Sequence, residues 1–560
     1  MPSIEFGSRR VHTAMTQNAA ADRIAILSAA IADLERNRFP RVQARCAALL
    51  ARDSSDIEAG LLCGLAAGAR GHIEHAARLL HRAGLARGAA EHPCRDLAAI
   101  LRRVGKPELI EPQFRAALKL ATDDAGLLHA FADFLYDAGR FAEAVPLLVA
   151  ARRQRPDFMP ARNLLALALA ALGDSDAAMG ELRAAVIQDP FRAGTWANLG
   201  LLLKDNGHFN DALAAYDKAL ALAPDDAQIR VNRVVALLRA GLWAEAWPDY
   251  EWRLTLAGHA TRRPGLLPAL STLPDLTGRT ILAVHEDGFG DTLHFARYLP
   301  LLAERGARVV VSAPAVLVRV MRTLAGVQRV CDQDDVPMRY DFYCPFFSLP
   351  RAFETTPDTI PASIPYLHAD PALVDAWQSK LPHGVLRAGL VWAGQARPTL
   401  PGFEILDGRR SMALATLAPL AKAAPGVVFV SLQHGKEAVQ VRSPPDGMTL
   451  IDPMPAVTDF ADTAAIIANL DLVISVDTAV VHLAGALGKP VFLLDRYDHC
   501  WRWLSGRADS PWYPALRIFR QQRIGDWTPV LRDVVAALAE FAATRPYAAG
   551  RPGIRSVSIS

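Results

Sequence analysis

From about residue 21 to residue 258, apolar and small side chains recur at helical spacing, and the pattern repeats every 34 residues. The clearest unit is GTWANLGLLLKDNGHFNDALAAYDKALALAPDD, marked by Trp196, Leu199, Gly200, Leu203, Gly207, Ala212, Tyr216, Ala219 and Pro224. One period earlier stand Leu165, Ala166, Leu169, Gly173, Ala178, Leu182, Ala185 and Pro190, and one before that Phe131, Ala132, Leu135, Gly139, Ala144, Leu148, Ala151 and Pro156. Weaker copies keep Gly105, Phe114 and Ala117, then Gly64, Gly71, Ala76, Leu80 and Ala83; a last partial unit keeps Leu237, Gly241, Ala246 and Tyr250. This predicts six or seven helical hairpins. Small residues let paired helices approach, the mid-unit glycine takes the turn, and proline ends the second helix. Stacked hairpins make a curved solenoid whose concave face suits an extended peptide or another protein; bracing or dimerisation is the alternative use. Residues 1–20 are expected to be disordered.

The pattern breaks over residues 259–278, HATRRPGLLPALSTLPDLTG, which read as a linker. Beyond it, short apolar runs alternate with helical stretches: TILAVHE, DTLHFARYLPLLAERG, ARVVVSAP and AVLVRVMRTLAG. A second break at SKLPHGVLR precedes a restart through AGLVWAG, GVVFVSLQ and DLVISVDTAVVHLAGALGKPVFLLD. Such alternation predicts two Rossmann-like α/β lobes, 279–382 and 383–541, with a flexible tail over 542–560. The expected fold class is an α-solenoid followed by two parallel-sheet lobes, with ligands bound at strand carboxyl ends facing the cleft between them.

Composition narrows the reading. At 560 residues the chain exceeds a single core, and its 51% hydrophobic and 21% charged content is ordinary for globular protein. A net charge of +3 gives no nucleic-acid footprint. No apolar run is long enough to span a bilayer, and MPSIEFGSRRVHTAMTQ lacks the apolar stretch of a secretory signal, so the cytoplasm is the expected address. The six cysteines, Cys46, Cys63, Cys94, Cys331, Cys344 and Cys500, include no C-x-x-C pair; neither a disulfide frame nor a zinc site is expected.

Two loops carry candidate chemistry. After the first-lobe strand comes EDGFGDTLHF. Gly288 and Gly290 permit close approach of a ligand to the backbone, and Asp291 or Thr292 opens a helix whose free N–H groups face the cleft. A dinucleotide site is rejected: Leu293 stands where the third small residue belongs, and ARVVVSA ends without a ribose-binding acid. The lysine of a phosphate-binding P-loop is also missing. Asp291 then reads either as a general base for an acceptor hydroxyl or as a helix cap. In the second lobe, ISVDTAVVHLAGALGKPV places Asp477 or Thr478 at a helix start, with Thr478 and His482 on one face. Helix-start amides, a hydroxyl and an imidazole form a seat for a leaving phosphate; the alternative for His482 is a buried helix histidine. Further donor candidates are Arg410 and Ser411, beside Arg409, and Gln433 and Lys436, beside His434. Trp501, Trp503, Trp512 and Tyr513 read either as a stacking platform for a base or sugar or as a small core.

In combination, HEDGFGDTLHFARYLPLLAERGARVVV, DFADTAAIIANLDLVISVDTAVVHLAGALGKPVFLL and WRWLSGRADSPWYPALRIFRQ resemble the transferase part of bacterial fusions between tetratricopeptide (TPR) repeats and glycosyltransferases related to the family 9 heptosyltransferases. GLWAEAWPDYEWRL resembles their joining segment. The resemblance implies a GT-B fold, a nucleotide-sugar substrate, an inverting mechanism, and no metal or other cofactor. It places the proposed base on Asp291 and the phosphate motif on Asp477, Thr478 and His482, with Ala479 replacing the family's glycine. Similar fusions include soluble transferases that glycosylate flagellin, their repeats holding the protein acceptor. A saccharide acceptor of lipopolysaccharide type and a non-catalytic adaptor are the other readings. The stretch Gln395 to Asp407 departs from the family pattern and bears on donor choice.

Overall fold

The structure, a computed structural model, describes residues 7–87, 92–256, 264–273, 275–333, 335, 339–395, 403–423 and 425–544. The chain divides into two compact units, Met1–Asn198 and Leu199–Ser560, and the division falls inside the helix Ala193–Asp205.

The first unit is a run of helical hairpins, and the second opens with more of them: Phe209–Leu222, Ala227–Arg239 and Trp243–Tyr250. The 34-residue period has a direct physical cause. Gly71, Gly105, Gly139, Gly173, Gly207 and Gly241 all adopt positive φ, between +71° and +88°, a conformation that costs glycine nothing. The residue after each donates its N–H back to a carbonyl five positions earlier, as in His72 to Ala67, Arg140 to Leu135 and Leu242 to Leu237, at 2.8–2.9 Å. This bond closes a helix end and turns the chain. Asp56, Asp124 and Asp226, on the same register, cap the helices that follow them. Close helix approach is also visible. A Cβ on Gly200 would lie 3.0 Å from the Tyr216 ring, and one on Gly64 would lie 2.9 Å from Leu80. The first helix spans Gly7–Glu35, so residues 7–20, expected to be disordered, are helical; proline is absent from that stretch and nothing breaks it.

Two parallel sheets follow. The first contains β1 (Thr280–Val284), β2 (Arg308–Ala313), β3 (Val327–Asp332) and β4 (Phe342–Pro345) in the order β3-β2-β1-β4. The second contains β5 (Arg387–Val391), β6 (Val428–Ser431), β7 (Leu450–Ile451), β8 (Leu472–Val476), β9 (Val491–Asp495) and β10 (Leu516–Arg520) in the order β10-β9-β8-β5-β6-β7. The chain runs outward from β1 to β3 and returns to β4, and outward from β5 to β7 and returns to β8. Each reversal leaves a crevice at the strand carboxyl ends, beside β1 in one sheet and between β5 and β8 in the other. One buried cluster of the second unit takes in Leu237, Trp243 and Trp247 of the last hairpin, Phe295 and Leu299 of the first lobe, and Val480 and Leu483 of the second. The expected tail beyond residue 544 and residues 396–402 of the Gln395 to Asp407 stretch lie outside the described residues. Among the described residues no helix is long and apolar enough to cross a membrane. All six cysteines are free, five of them buried.

Candidate functional site

The two crevices hold the two motifs. After β1 the chain enters the left-handed region at Asp287 (φ +65°) and begins a helix at Phe289–Phe295. Asp291 closes that helix start: its Oδ2 accepts the Gly288 N–H at 3.1 Å, and its own N–H donates to the Gly288 carbonyl at 3.1 Å. Its second oxygen accepts from Arg502 Nη2 at 2.5 Å. One carboxylate oxygen serves the helix cap and the other pairs with Arg502. The loop is braced from behind. Glu286 is buried and takes both arms of the Arg253 guanidinium, at 3.1 and 3.0 Å, while Arg253 also donates to Ser348 Oγ at 2.8 Å. A paired, hydrogen-bonded buried charge of this kind holds one backbone geometry.

After β8, Asp477, Thr478 and Ala479 are half-exposed, and the helix Ala479–Ala486 starts with Thr478 in an extended conformation. The Thr478 hydroxyl lies 3.2 Å from Ser475 Oγ. Arg410 reaches across from its own helix: Nη1 donates to the Asp477 carbonyl at 2.9 Å, while Nε and Nη2 hold Asp407 Oδ1. Ser411 Oγ accepts the Gly394 N–H at 3.0 Å, just past β5. A side chain at Gly394 would collide with Asp407 and Arg410, so the glycine lets this pair press on the β5 carboxyl end. Gly394, Arg410, Ser411, Asp477 and Thr478 thus meet at the second crevice.

The two motif helices abut. A Cβ on Gly290 would lie 2.9 Å from His482 Cδ2 and 3.2 Å from Ala479 Cα. The close approach allowed by Gly290 is therefore to the opposite lobe's helix start, not to a ligand as expected. Three further expectations are corrected. Thr292 is fully buried with its hydroxyl 2.7 Å from His285 Nδ1, because it sits on the inner face of its helix. The Gln433 side chain is spent on backbone: it accepts from Trp392 N and Ala393 N and donates to the Ala393 and His434 carbonyls, all within 3.1 Å. His482 is buried, with Nδ1 3.1 Å from Tyr513 Oη and its ring stacked on Trp503. Burial pushes its imidazole down to about 3, which Asp477 only partly offsets, so at pH 7 it is a neutral buried ring, as the alternative reading had it. Lys436 is solvated, 3.8 Å from Glu437, and Arg409 is paired with Asp498 at 2.8 Å.

The aromatic segment is core. Trp503, Trp512 and Tyr513 are buried to within 1% exposure and Trp501 to 6%, which leaves no free ring face for a sugar. Trp243 of the last hairpin stacks on Trp512 at 5.5 Å and meets Trp501 edge-on at 5.4 Å. Arg502, Arg253 and Glu286 escaped the sequence reading. The signal available for Arg502 was a cation flanked by two tryptophans in WRW.

Among the described residues, His81, His92 and Asp124 of the first unit lie within metal-ligating reach, their atoms within 4.8 Å of one another. His92 Nδ1 accepts the Cys94 N–H at 3.2 Å, which puts the ring proton on Nε2, the nitrogen 4.0 Å from Asp124. A ligating imidazole needs that nitrogen bare and a donor on the other.

Comparison with known proteins follows this division. Residues 129–193 and 198–251 match the tetratricopeptide repeat model, and residues 424–497 match glycosyltransferase family 9 (heptosyltransferase). The chain thus resembles a fusion of tetratricopeptide repeats with a segment similar to glycosyltransferase family 9. The family 9 match covers β6 through β9, including the Asp477 helix start. The chain is 29% identical over 484 residues to Protein FlbA of Caulobacter vibrioides, a match spanning 80% of this chain and 78% of that one. Among solved structures, the E. coli ADP-heptose lps heptosyltransferase II is 14% identical, with a TM-score of 0.37 over 47% of this chain and 99% of its own. A family 9 glycosyl transferase from Veillonella parvula is 12% identical, with a TM-score of 0.36 over 48% and 99%. The family model and the relative make the chain similar to glycosyltransferases that carry TPR repeats.

Proposed function

We propose that this protein moves a sugar from a nucleotide-sugar donor to a protein hydroxyl by a single inverting displacement, with the repeats holding the acceptor. The observation that carries the reading is the contact between the loops: the neighbour of Asp291 packs directly on the helix start that follows Asp477. One donor molecule spans both. Asp291 takes the acceptor proton as its oxygen attacks the anomeric carbon. The bond from that carbon to the donor phosphate breaks, and its electron pair leaves with the nucleotide. The amides at the start of Ala479–Ala486 and the Thr478 hydroxyl receive the leaving charge, and Arg410 fixes the Asp477 carbonyl behind them. These groups supply the electrophilic half of the reaction, so no metal is required. Gly288 serves by donating to Asp291, and Ser411 by holding Gly394 at the donor crevice. The reaction is placed in the cytoplasm, with flagellin the leading candidate acceptor.

The test is nucleotide release from UDP-, GDP-, ADP- and CMP-linked sugars, with the mass of candidate acceptor proteins followed in parallel. Asp291→Asn keeps a cap acceptor but removes the counter-charge of buried Arg502, so it is expected to lower stability as well as to lower transfer by about 10²–10⁴-fold, the transfer being measured on protein shown to be folded by circular dichroism. Full activity in that variant removes the base, and a mass shift on saccharides but not on protein moves the acceptor class.

A further inference from the structure

A guanidinium buried to 6% exposure is costly unless something compensates it, and Arg502 is compensated in one direction. Its plane lies within 5.2 Å of the ring centres of Phe295, Phe347 and Trp501. Nη1 donates to Cys500 Sγ at 2.9 Å, and Nη2 donates to Asp291 Oδ1 at 2.5 Å. Arg502 comes from the segment after β9, while Asp291 belongs to the loop after β1. The ring sandwich leaves the guanidinium little freedom, so the direction of Nη2 is set by packing before any ligand arrives.

Among the described residues, several neighbours of the pair are negative, neutral or already engaged. Glu286 of the same loop is taken up by Arg253, and Asp287 adds negative charge. On the facing helix start, Asp477 is also negative and His482 is neutral. Burial pushes the Cys500 thiol and the Tyr250 phenol up, so both are neutral at pH 7. Among the described residues, Arg502 brings a positive charge into hydrogen-bond contact with Asp291.

We propose that Arg502 is the positioning residue of Asp291, holding the carboxylate fixed in orientation from the opposite lobe, so that the base is complete only when the two lobes are packed together. The inference rests on Asp291 acting as the base. Arg502 does not touch the reacting atoms; it acts through one carboxylate oxygen, Oδ1, and leaves the proton to be accepted on the same group.

The experiment uses the full chain, the nucleotide sugar that the donor panel turns over, and kcat/KM measured across the acid range for Arg502→Gln and Arg502→Lys. A cation beside a carboxylate lowers its pKa, so loss of the cation raises it. The acid limb of Arg502→Gln is expected to move upward by about one to two pH units, and that of Arg502→Lys by less, because the charge remains. In both variants kcat is expected to fall with KM for the donor nearly unchanged, since orientation rather than binding is lost. A wild-type limb and kcat in folded Arg502→Gln overturns the proposal and leaves Arg502 a packing residue. If Arg502→Gln does not fold, Arg502→Lys decides alone: a lowered kcat supports the role and a wild-type profile removes it. An active Asp291→Asn variant overturns the base reading itself, whereas an inactive one beside unshifted Arg502 variants overturns only the role of Arg502.

Discussion

At the residue scale the tightest constraint falls on Gly290. Its missing side chain is what lets the first-lobe loop rest against Ala479 and His482. In Gly290→Ala the new methyl meets backbone at Ala479 Cα, which cannot swing away as a side chain tip does. Overpacking of this kind costs about 1–3 kcal/mol. Gly290→Ala is therefore expected to lower the urea midpoint of the second unit and to cut nucleotide release more than stability alone explains. An alanine variant with wild-type midpoint and rate would mean the two motif helices are free to separate. The same residue marks how far sequence reasoning reaches. A glycine demanding close approach was legible; what approaches it was not, because the partner lies almost two hundred residues away in sequence. Gln433 fails similarly. Its place beyond a strand carboxyl end was readable, but Trp392 and Ala393, whose N–H groups consume its amide, become its neighbours only when β5 and β6 pair.

Elements show a complementary pattern. The hairpin turns were legible because their cause is local: a glycine at positive φ and a return hydrogen bond within one turn. The aromatic run after β9 left two readings open, because only tertiary neighbours decide whether a ring is covered. The helix Trp243–Tyr250 decides it. Trp243 is 1% exposed, between Trp501 and Trp512, and its Nε1 donates to the Leu238 carbonyl at 2.9 Å. Truncating a buried aromatic of this size costs about 3–5 kcal/mol. Trp243→Ala is thus expected to destabilise the second unit by that amount in denaturant unfolding and to perturb the near-ultraviolet dichroism of the tryptophans. An unchanged unfolding curve would show that the last hairpin merely leans on the lobes.

For the whole molecule, the consequence is that the repeat pattern and the compact units end at different places. The repeats run by sequence to about residue 258, yet the second unit begins at Leu199. The reason lies in what the last hairpins bury. Trp247 Nε1 donates to the Thr355 carbonyl at 2.8 Å, and Arg253 neutralises Glu286 behind the Asp291 loop. A fragment of residues 259–560 loses Trp243, Trp247 and Arg253 together. It exposes the faces of Trp501 and Trp512 and strands a buried carboxylate, a loss of about 3–5 kcal/mol from the broken ion pair alone. A fragment of residues 193–560 starts at a helix boundary and keeps all of these contacts. The longer fragment is expected to elute as a discrete species and melt cooperatively, and the shorter one to aggregate or melt without a transition. Should residues 259–560 fold to a species as stable as residues 193–560, the repeats would be a detachable module. The Arg253–Glu286 brace would then contribute nothing to the loop that carries Asp291.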